Sequence, residues 1–102
     1  MINDDQNTST SLDLAQIRQD IDSVDQQIQQ LINKRAKLAE AVAKAKFAAE
    51  ENPLFYRPER EAQVLRNVMQ RNEGPLSVVT MARLFREIMS ACLALEAPQS
   101  IA

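Results

Sequence analysis

Two basic residues in a long helical segment are the first candidates for chemistry in this sequence. Arg35 and Lys46 fall among the apolar positions of segment 12–50, which contains neither Pro nor Gly. At ~100° per residue on an ideal helix, the two side chains point within roughly 20° of each other. They are eleven residues apart, which is about 16 Å along the helix axis. Because burying unpaired cations is costly, this placement indicates an anionic partner such as a small dianion.

The residues alone leave other interpretations of these cations open. Arg35 and Lys46 would also be stable if they paired with acidic residues of another helix. Alternatively, their charged ends would reach the surface while their methylene groups stay buried. A long helix with a heptad pattern is moreover typical of coiled-coil packing without catalysis.

The composition restricts any catalysis to charged side chains. The 102 residues include no His, one Cys and one Gly. Without His, Cys92 forms neither a zinc site nor a Cys–His nucleophile pair, and a single Gly excludes a glycine-rich phosphate loop. We therefore expect no metal and no cofactor. An enzyme with this sequence would use Arg, Lys, Glu and Asp.

Charge and hydropathy argue against several classes of partner. The formal net charge of −2 provides no basic footprint for nucleic acid or an anionic membrane. The apolar runs are too short to span a bilayer, and the polar, acidic segment 1–11 lacks the features of a secretory signal. A lone cysteine fits a reducing compartment. We expect a cytoplasmic protein that binds neither nucleic acid nor membranes.

Helical periodicity runs through the sequence and predicts an all-α fold with one long and two shorter helices. The first helix is predicted over about 12–50, with Thr10 or Ser11 as its N-cap. Its apolar residues recur at steps of three and four and define one face, which we term the apolar stripe. The members of the stripe are Leu14, Ile17, Ile21, Val24, Ile28, Leu31, Leu38 and Val42.

Proline, glycine and serine mark the ends of the two shorter helices. Pro58 is predicted as the first residue of the second helix, because the first turn needs no N–H there. This helix is predicted to stop at 72–75, with Gly74 as its C-cap. Ser77 is the predicted N-cap of the third helix, which ends near Glu96.

The length of the first helix predicts a dimer. A helix of about 38 residues is roughly 57 Å long, whereas a compact domain of this size has a radius of gyration near ~13 Å. The two shorter helices cannot cover the whole stripe, so we predict an obligate, intertwined antiparallel homodimer. Arg18 is roughly 42 Å from Lys46 along one straight helix and cannot share its site within one chain. If the long helices pair about residue 30, Arg18 of the partner subunit falls within about a turn of Lys46.

Three motifs at these spacings resemble the all-helical chorismate mutases. They are Ile17–Asp25 with Leu31–Arg35 and Lys44–Lys46, then Tyr56–Glu61, then Arg83–Met89 followed by Cys92 and Glu96. The similarity covers residues 12–97, the expected mutase domain. Residues 1–11 are expected to form a disordered polar N-terminus, and 98–102 a C-terminal tail or the start of a linker.

Within that family, the sequence is most similar to the amino-terminal mutase domain of bifunctional chorismate mutase/prephenate dehydratase enzymes. This similarity implies a fused prephenate dehydratase domain in the full-length protein, with a free-standing mutase as the alternative. No residue pattern in the chain fits the dehydratase step.

The resemblance implies the conversion of chorismate to prephenate by a Claisen rearrangement, in phenylalanine and tyrosine biosynthesis. This reaction needs no nucleophile, metal or redox cofactor. Catalysis would come from holding the substrate in its reactive diaxial conformer and from stabilising negative charge on the breaking ether oxygen.

The resemblance also assigns roles to charged residues of the first two helices. Arg18 of the partner subunit and Arg35 would clamp the two carboxylates, since a guanidinium binds a carboxylate through two parallel hydrogen bonds. Lys46 would bridge a carboxylate and the ether oxygen. Glu61 would accept a hydrogen bond from the ring hydroxyl, or would only complement the charge of its helix N-terminus. Arg60 would support carboxylate binding, with a solvated role as the alternative.

Three further positions depart from the family pattern or vary within it. Arg57 is counted with the substrate-binding residues, although relatives often have an acidic or polar residue there. Cys92 stands where some relatives have Ser, and core packing is its alternative role. Glu96 stands where others have Gln, and it can donate a hydrogen bond to the ether oxygen only when it is protonated. We therefore expect activity to favour mildly acidic pH.

Two non-catalytic functions compete with the enzyme. A helical dimerisation module would explain the apolar stripe, but not the positions of Arg35, Lys46 and Glu61. A relative that only binds an aromatic-pathway metabolite would explain these residues without turnover.

Overall fold

Three helices make up the part of the chain that the structure describes. The computed structural model describes residues 2–49 and 57–96, with side chains from residue 13 onward. The helices are α1 (Ile2–Ala49), α2 (Pro58–Arg71) and α3 (Val78–Glu96), and these ranges contain no strand. The predicted all-α fold with one long and two shorter helices is therefore confirmed for these residues. The predicted tail at 98–102 and Tyr56 lie outside them.

The first helix begins earlier than the sequence predicts. The backbone of α1 is helical from Ile2 to Ala49, so the predicted N-cap at Thr10 or Ser11 is wrong. Residues 2–11 contain neither Pro nor Gly, and polar residues such as Ser, Thr and Asn cost a helix interior only about 0.5 kcal/mol each. The C-terminal end of α1 agrees with the prediction and precedes Pro53, which disfavours helix in the residue before it.

The chain divides into two compact units between Asn33 and Lys34, in the course of α1. The first unit, residues 2–33 of the described chain, is a single helical segment. Every side chain described there, from Asp13 to Asn33, is exposed. A helix with no buried side chain has no core of its own, so its apolar face needs another surface for stability.

The apolar stripe is uncovered in this chain. Its eight side chains are each between 45% and 63% exposed, with Leu31 the most exposed and Val42 the least. Single exposed apolar residues are ordinary on protein surfaces, but a continuous row of them marks an interaction surface. In the described ranges, no helix has the length and hydrophobicity to cross a membrane.

In the second unit, α2 and α3 begin as predicted. Pro58 is the first residue of α2, and the carbonyl of Arg57 accepts hydrogen bonds from the N–H groups of Arg60 (3.1 Å) and Glu61 (3.0 Å). Ser77 caps α3, because its Oγ accepts a hydrogen bond from the Thr80 N–H at 3.1 Å. Both predicted helix starts are confirmed.

The turn between α2 and α3 uses a different C-cap from the predicted one. Asn72 is the C-cap, with φ −71° and ψ 127°, and its Nδ2 donates a hydrogen bond to the Leu76 carbonyl at 2.9 Å. Gly74 lies two residues further and has φ 83°, a left-handed conformation that glycine adopts without steric cost. The turn has the predicted position, but the prediction of Gly74 as the C-cap is wrong.

The core of the second unit is built from small side chains on α1 and α3 and larger ones on α2. Its buried apolar members are Ala39, Ala43, Leu65, Val68, Ala82 and Cys92. Alanines on the buried face of α1 leave space beside that helix, because a methyl group fills little volume. Arg35 and Lys46 lie on the same face and are half-buried, so charged groups border this space.

Candidate active site

A cavity of about 330 Å³ lies in the second unit, and all three helices contribute to its wall. Its lining residues are Arg35, Leu38, Ala39, Val42, Lys46, Arg57, Arg60, Glu61, Val64, Met89, Cys92, Leu93 and Glu96. Its size lies at the lower end of the range for small-molecule sites.

Helical periodicity explains which side chains of each helix line the cavity. On α1 the cavity residues follow Arg35 at intervals of three, four, seven and eleven residues. The residues from Arg57 into α2 and those from Met89 along α3 both follow the spacing i, i+3, i+4, i+7. These intervals place side chains on one face of a helix. Each helix therefore presents one continuous face to the cavity.

The predicted site residues come together with one exception. Seven of the eight line the cavity: Arg35, Lys46, Arg57, Arg60, Glu61, Cys92 and Glu96. The eighth, Arg18, is an exposed residue of the first unit and does not belong to this lining.

An ion pair joins α1 to α3 in the cavity. Lys46 Nζ lies 4.0 Å from Glu96 Oε1, and the two side chains are 21% and 16% exposed. Partial burial strengthens this attraction relative to a fully exposed pair. Lys46 and Glu96, the two residues for which the family resemblance implies contact with the ether oxygen, are thus direct neighbours across the cavity.

The other basic residues of the cavity differ in their partners. Arg60 Nη1 donates a hydrogen bond to Gln63 Oε1 at 2.8 Å. Among the described residues, neither Arg35 nor Arg57 has a hydrogen-bond or ion-pair partner for its guanidinium. Two unpaired guanidinium groups therefore border the same cavity from different elements.

The cavity is positively charged although the chain is acidic. Four basic and two acidic side chains line it, which gives a formal charge of +2, against −2 for the whole chain. The acidic pair consists of Glu61, which is half-buried, and Glu96. A concave positive surface attracts anions and raises their local concentration.

Cys92 is buried, which is compatible with its alternative assignment to core packing. It is 2% exposed and belongs to the core, and it also contributes to the cavity wall. A buried thiol behaves as a small apolar group. It lies between Met89 and Glu96 on the face of α3 that lines the cavity.

Sequence reasoning missed the apolar part of the wall. The six residues are Leu38, Ala39, Val42, Val64, Met89 and Leu93. Leu38 and Val42 were assigned to the apolar stripe alone, whereas they also border the cavity. The signal available in the sequence was their i, i+3, i+4 and i+7 spacing from the charged residues.

In the described ranges, the fold and the cavity define a class of protein, an all-helical protein with a positively charged cavity of small-molecule size. Comparison with known families extends this description. The family model described as chorismate mutase type II matches residues 17–97. This range contains α2, α3, most of α1 and all the cavity residues. The chain belongs to the chorismate mutase type II family.

Curated relatives include two bifunctional chorismate mutase/prephenate dehydratases. The protein from Stutzerimonas stutzeri is 53% identical over 92 residues, which are 87% of this chain and 25% of that protein. The protein from Pseudomonas aeruginosa is 52% identical, with the same coverage. The chain thus spans about a quarter of the length of these relatives.

Solved structures of similar fold carry the same family name. The structure of chorismate mutase form II from Thermus thermophilus has a TM-score of 0.77 and 30% identity, covering 84% of this chain and 96% of that one. Chorismate mutase from Helicobacter pylori, solved in complex with prephenate, has a TM-score of 0.71 and 26% identity, covering 81% and 88%.

Proposed function

We propose that this chain catalyses the rearrangement of chorismate to prephenate. The observation that carries the proposal is the convergence of seven predicted site residues on one positively charged cavity, in a chain of the chorismate mutase type II family. The resulting prephenate would serve phenylalanine and tyrosine biosynthesis in the cytoplasm, where the free thiol of Cys92 stays reduced.

Binding of a dianionic substrate is supported by the charge of the cavity. The formal charge of +2 matches a molecule with two carboxylates. Arg35 is well suited to bind one of them, because its guanidinium has no partner among the described residues and is half-buried. The apolar wall around Leu38 and Val42 would contact the ring and exclude water from the reacting bonds. Holding the substrate in its diaxial form removes much of the entropic part of the barrier.

Stabilisation of the ether oxygen is assigned to Lys46 and Glu96. In the rearrangement the ether C–O bond breaks as a C–C bond forms, and negative charge develops on the oxygen. An oxygen that accepts hydrogen bonds from two sides needs donors about 5–6 Å apart, at about 2.8 Å from each. The pair is 4.0 Å apart without substrate, so substrate would separate it by a small side-chain movement. Once the substrate is bound, Lys46 and protonated Glu96 would already face the ether oxygen and would reorganise little when charge develops.

The ring hydroxyl is assigned to Glu61. This residue lies in the first turn of α2, half-buried in the cavity wall, and its backbone N–H already bonds the Arg57 carbonyl. The backbone contact holds the start of the side chain in place. An ionised carboxylate there accepts a hydrogen bond from the hydroxyl and orients the ring.

We further propose an antiparallel homodimer that contributes Arg18 of the partner subunit to each cavity. The exposed apolar stripe supports it, since its six members outside the cavity wall, about half-exposed in one chain, would be buried between two. At roughly 25 cal/mol per Å² of apolar surface, such a row stabilises an interface by several kcal/mol. Arg18 is exposed in the single chain and is thus available to the partner.

The experiment that tests the function follows the loss of chorismate by absorbance between pH 5 and 8. We expect turnover without added metal or cofactor, with formation of prephenate identified by chromatography. Binding of prephenate without turnover would favour the metabolite-binding relative instead. Neither binding nor turnover, together with a stable dimer, would favour the helical dimerisation module.

The Glu96→Gln substitution should change the pH dependence of turnover. Only the protonated form of Glu96 donates a hydrogen bond, whereas its carboxylate form can only accept one. Gln donates at every pH, so the substitution should flatten the profile. The profiles of kcat and kcat/KM for both proteins would measure this. Two superimposable profiles would contradict the role of Glu96.

A further inference from the structure

The sulfur-containing side chains differ in their exposure and in their relation to the cavity. The chain has four methionines and one cysteine, and Met1 lies outside the described residues. Met69 on α2 is 44% exposed and Met81 on α3 is half-buried, and neither belongs to the cavity wall. Met89 and Cys92 both line the cavity, but Cys92 is only 2% exposed whereas Met89 is half-buried. Among the described residues, Met89 is therefore the cavity sulfur that a small solute reaches.

The route to Met89 is the one that the substrate itself would take. Hydrogen peroxide is far smaller than chorismate, so an opening of the cavity that admits chorismate also admits peroxide. An accessible methionine thioether is oxidised by peroxides, whereas a buried structural thiol is inert. We therefore expect peroxide that enters the cavity to oxidise Met89 before Cys92.

Oxidation of Met89 would change the polarity of the wall at this point. A sulfur lone pair attacks one oxygen of the hydroperoxide and the O–O bond breaks. The leaving hydroxide takes the proton from the oxygen now bound to sulfur, which gives water. The thioether has lost two electrons to the peroxide, and an apolar side chain has become a polar sulfoxide whose oxygen accepts hydrogen bonds.

A sulfoxide at this position would oppose binding of the substrate. Met89 belongs to the apolar part of the cavity wall, one helical turn before Cys92 and Leu93 on the same face of α3. The strong hydrogen-bond donors of the cavity are basic side chains, which the proposed function assigns to the substrate. The sulfoxide oxygen would either stay unsatisfied beside the substrate or compete with it for one of these cations, and both weaken binding.

We propose that Met89 is a modification site, and that its oxidation by hydroperoxides lowers the affinity of the cavity for the substrate. The inference rests on the proposed function and goes beyond it, because it adds a chemical modification that controls the same site. A ligand that fills the cavity covers its wall, so an occupied cavity should protect Met89 from oxidation.

The test treats the wild-type chain and Met89→Leu with hydrogen peroxide, removes the peroxide with catalase, and compares each protein with its own untreated sample. The KM of the wild-type chain for chorismate should rise about tenfold, whereas that of Met89→Leu should change less than about twofold. Met69→Leu is the matched control, because Met69 is exposed and outside the cavity wall, and it should lose affinity as the wild-type chain does. Met89→Gln, which introduces a polar acceptor without any oxidant, should have a raised KM before treatment.

Mass spectrometry locates the oxidised residue, because trypsin releases Met69 in the peptide 67–71 and Met89 in the peptide that begins at Glu87. Prephenate at about ten times its dissociation constant should slow the oxidation of Met89 about tenfold and leave that of Met69 unchanged. Dithiothreitol reverses sulfenic acids and disulfides but not sulfoxides, so it should not restore the KM.

Three results would overturn the inference: equal peroxide sensitivity of the wild-type chain and Met89→Leu, equal protection of Met69 and Met89 by prephenate, or recovery of the KM with dithiothreitol. The last result would assign the effect to Cys92. Each of them in an active wild-type chain leaves the proposed function intact. A wild-type chain without turnover would contradict the proposed function itself, whereas protection of Met89 by prephenate is measured without turnover.

Discussion

Replacement of Lys46 by Ala should abolish measurable turnover, with a loss in kcat of about a thousandfold or more. Lys46 supplies a positive charge from α1 opposite Glu96, where the ether oxygen would lie. Removing a single donor to a developing oxyanion costs about 2.7–4 kcal/mol, and a cation in a partly buried site belongs at the upper end. The measurement is chorismate loss under saturating substrate, compared with the uncatalysed rate.

Lys44→Ala provides the control for this substitution. Lys44 is an exposed residue of the same helix, outside the cavity wall, so its removal changes net charge equally and should leave kcat within about twofold. Circular dichroism and sedimentation should show the same helicity and oligomeric state for both variants. Retention of more than a tenth of wild-type kcat in Lys46→Ala would contradict the assignment.

Two inactive variants, Arg18→Ala and Lys46→Ala, should regain activity when they are mixed. Each cavity of the proposed dimer combines Lys46 of one chain with Arg18 of the partner subunit. A mixed dimer then contains one cavity with both residues intact and one with neither. If subunits exchange at random, half of the dimers are mixed, and activity should recover to about a quarter of the wild-type value. Arg18→Ala alone should lose about a hundredfold or more in kcat/KM, since it removes a carboxylate contact.

A second pair of variants makes this experiment decisive. Arg35→Ala and Lys46→Ala alter the same cavity wall of one chain, so every cavity of their mixed dimer lacks one residue. This mixture should stay inactive. Recovery in both mixtures would indicate an artefact of mixing, and recovery in neither would contradict the shared site. Analytical ultracentrifugation tests the architecture separately, because a stable folded monomer is incompatible with it.

Much of the site could be predicted because its residues repeat at helical intervals. Arg35 and Lys46 have a spacing that places both on one side of α1, and this relation depends only on the geometry of a helix. Pro58 and Ser77 likewise mark helix starts through local chemistry. Pro58 has no N–H to leave unpaired in the first turn, and the Ser77 hydroxyl accepts a hydrogen bond from an N–H of the first turn of α3. The predicted dimer, and the contribution of Arg18 to the partner's cavity, follow from the same helix geometry applied to two chains. Both stay predictions.

The limits of sequence reasoning appear where residues far apart in the chain meet. Met89 and Leu93 had no role in the predicted site, and their place in the cavity wall depends on how α3 lies relative to the other helices. The extension of α1 to Ile2 was missed because Thr10 and Ser11 are good caps in isolation. The preference of Thr and Ser for helix caps is a local tendency. A helix without Pro or Gly continues past such residues at a small cost in free energy.

The positive charges on one face of a long helix were already contained in the sequence of this protein, because periodic backbone hydrogen bonds translate residue spacing into direction. Only the tertiary structure decided that Lys46 pairs with Glu96, whereas Arg35 and Arg57 have no described partner. The reason is physical. The pairing of Lys46 with Glu96 depends on the distance between α1 and α3, and that distance depends on the packing of residues far apart in the chain, among them the buried Ala39 and Cys92.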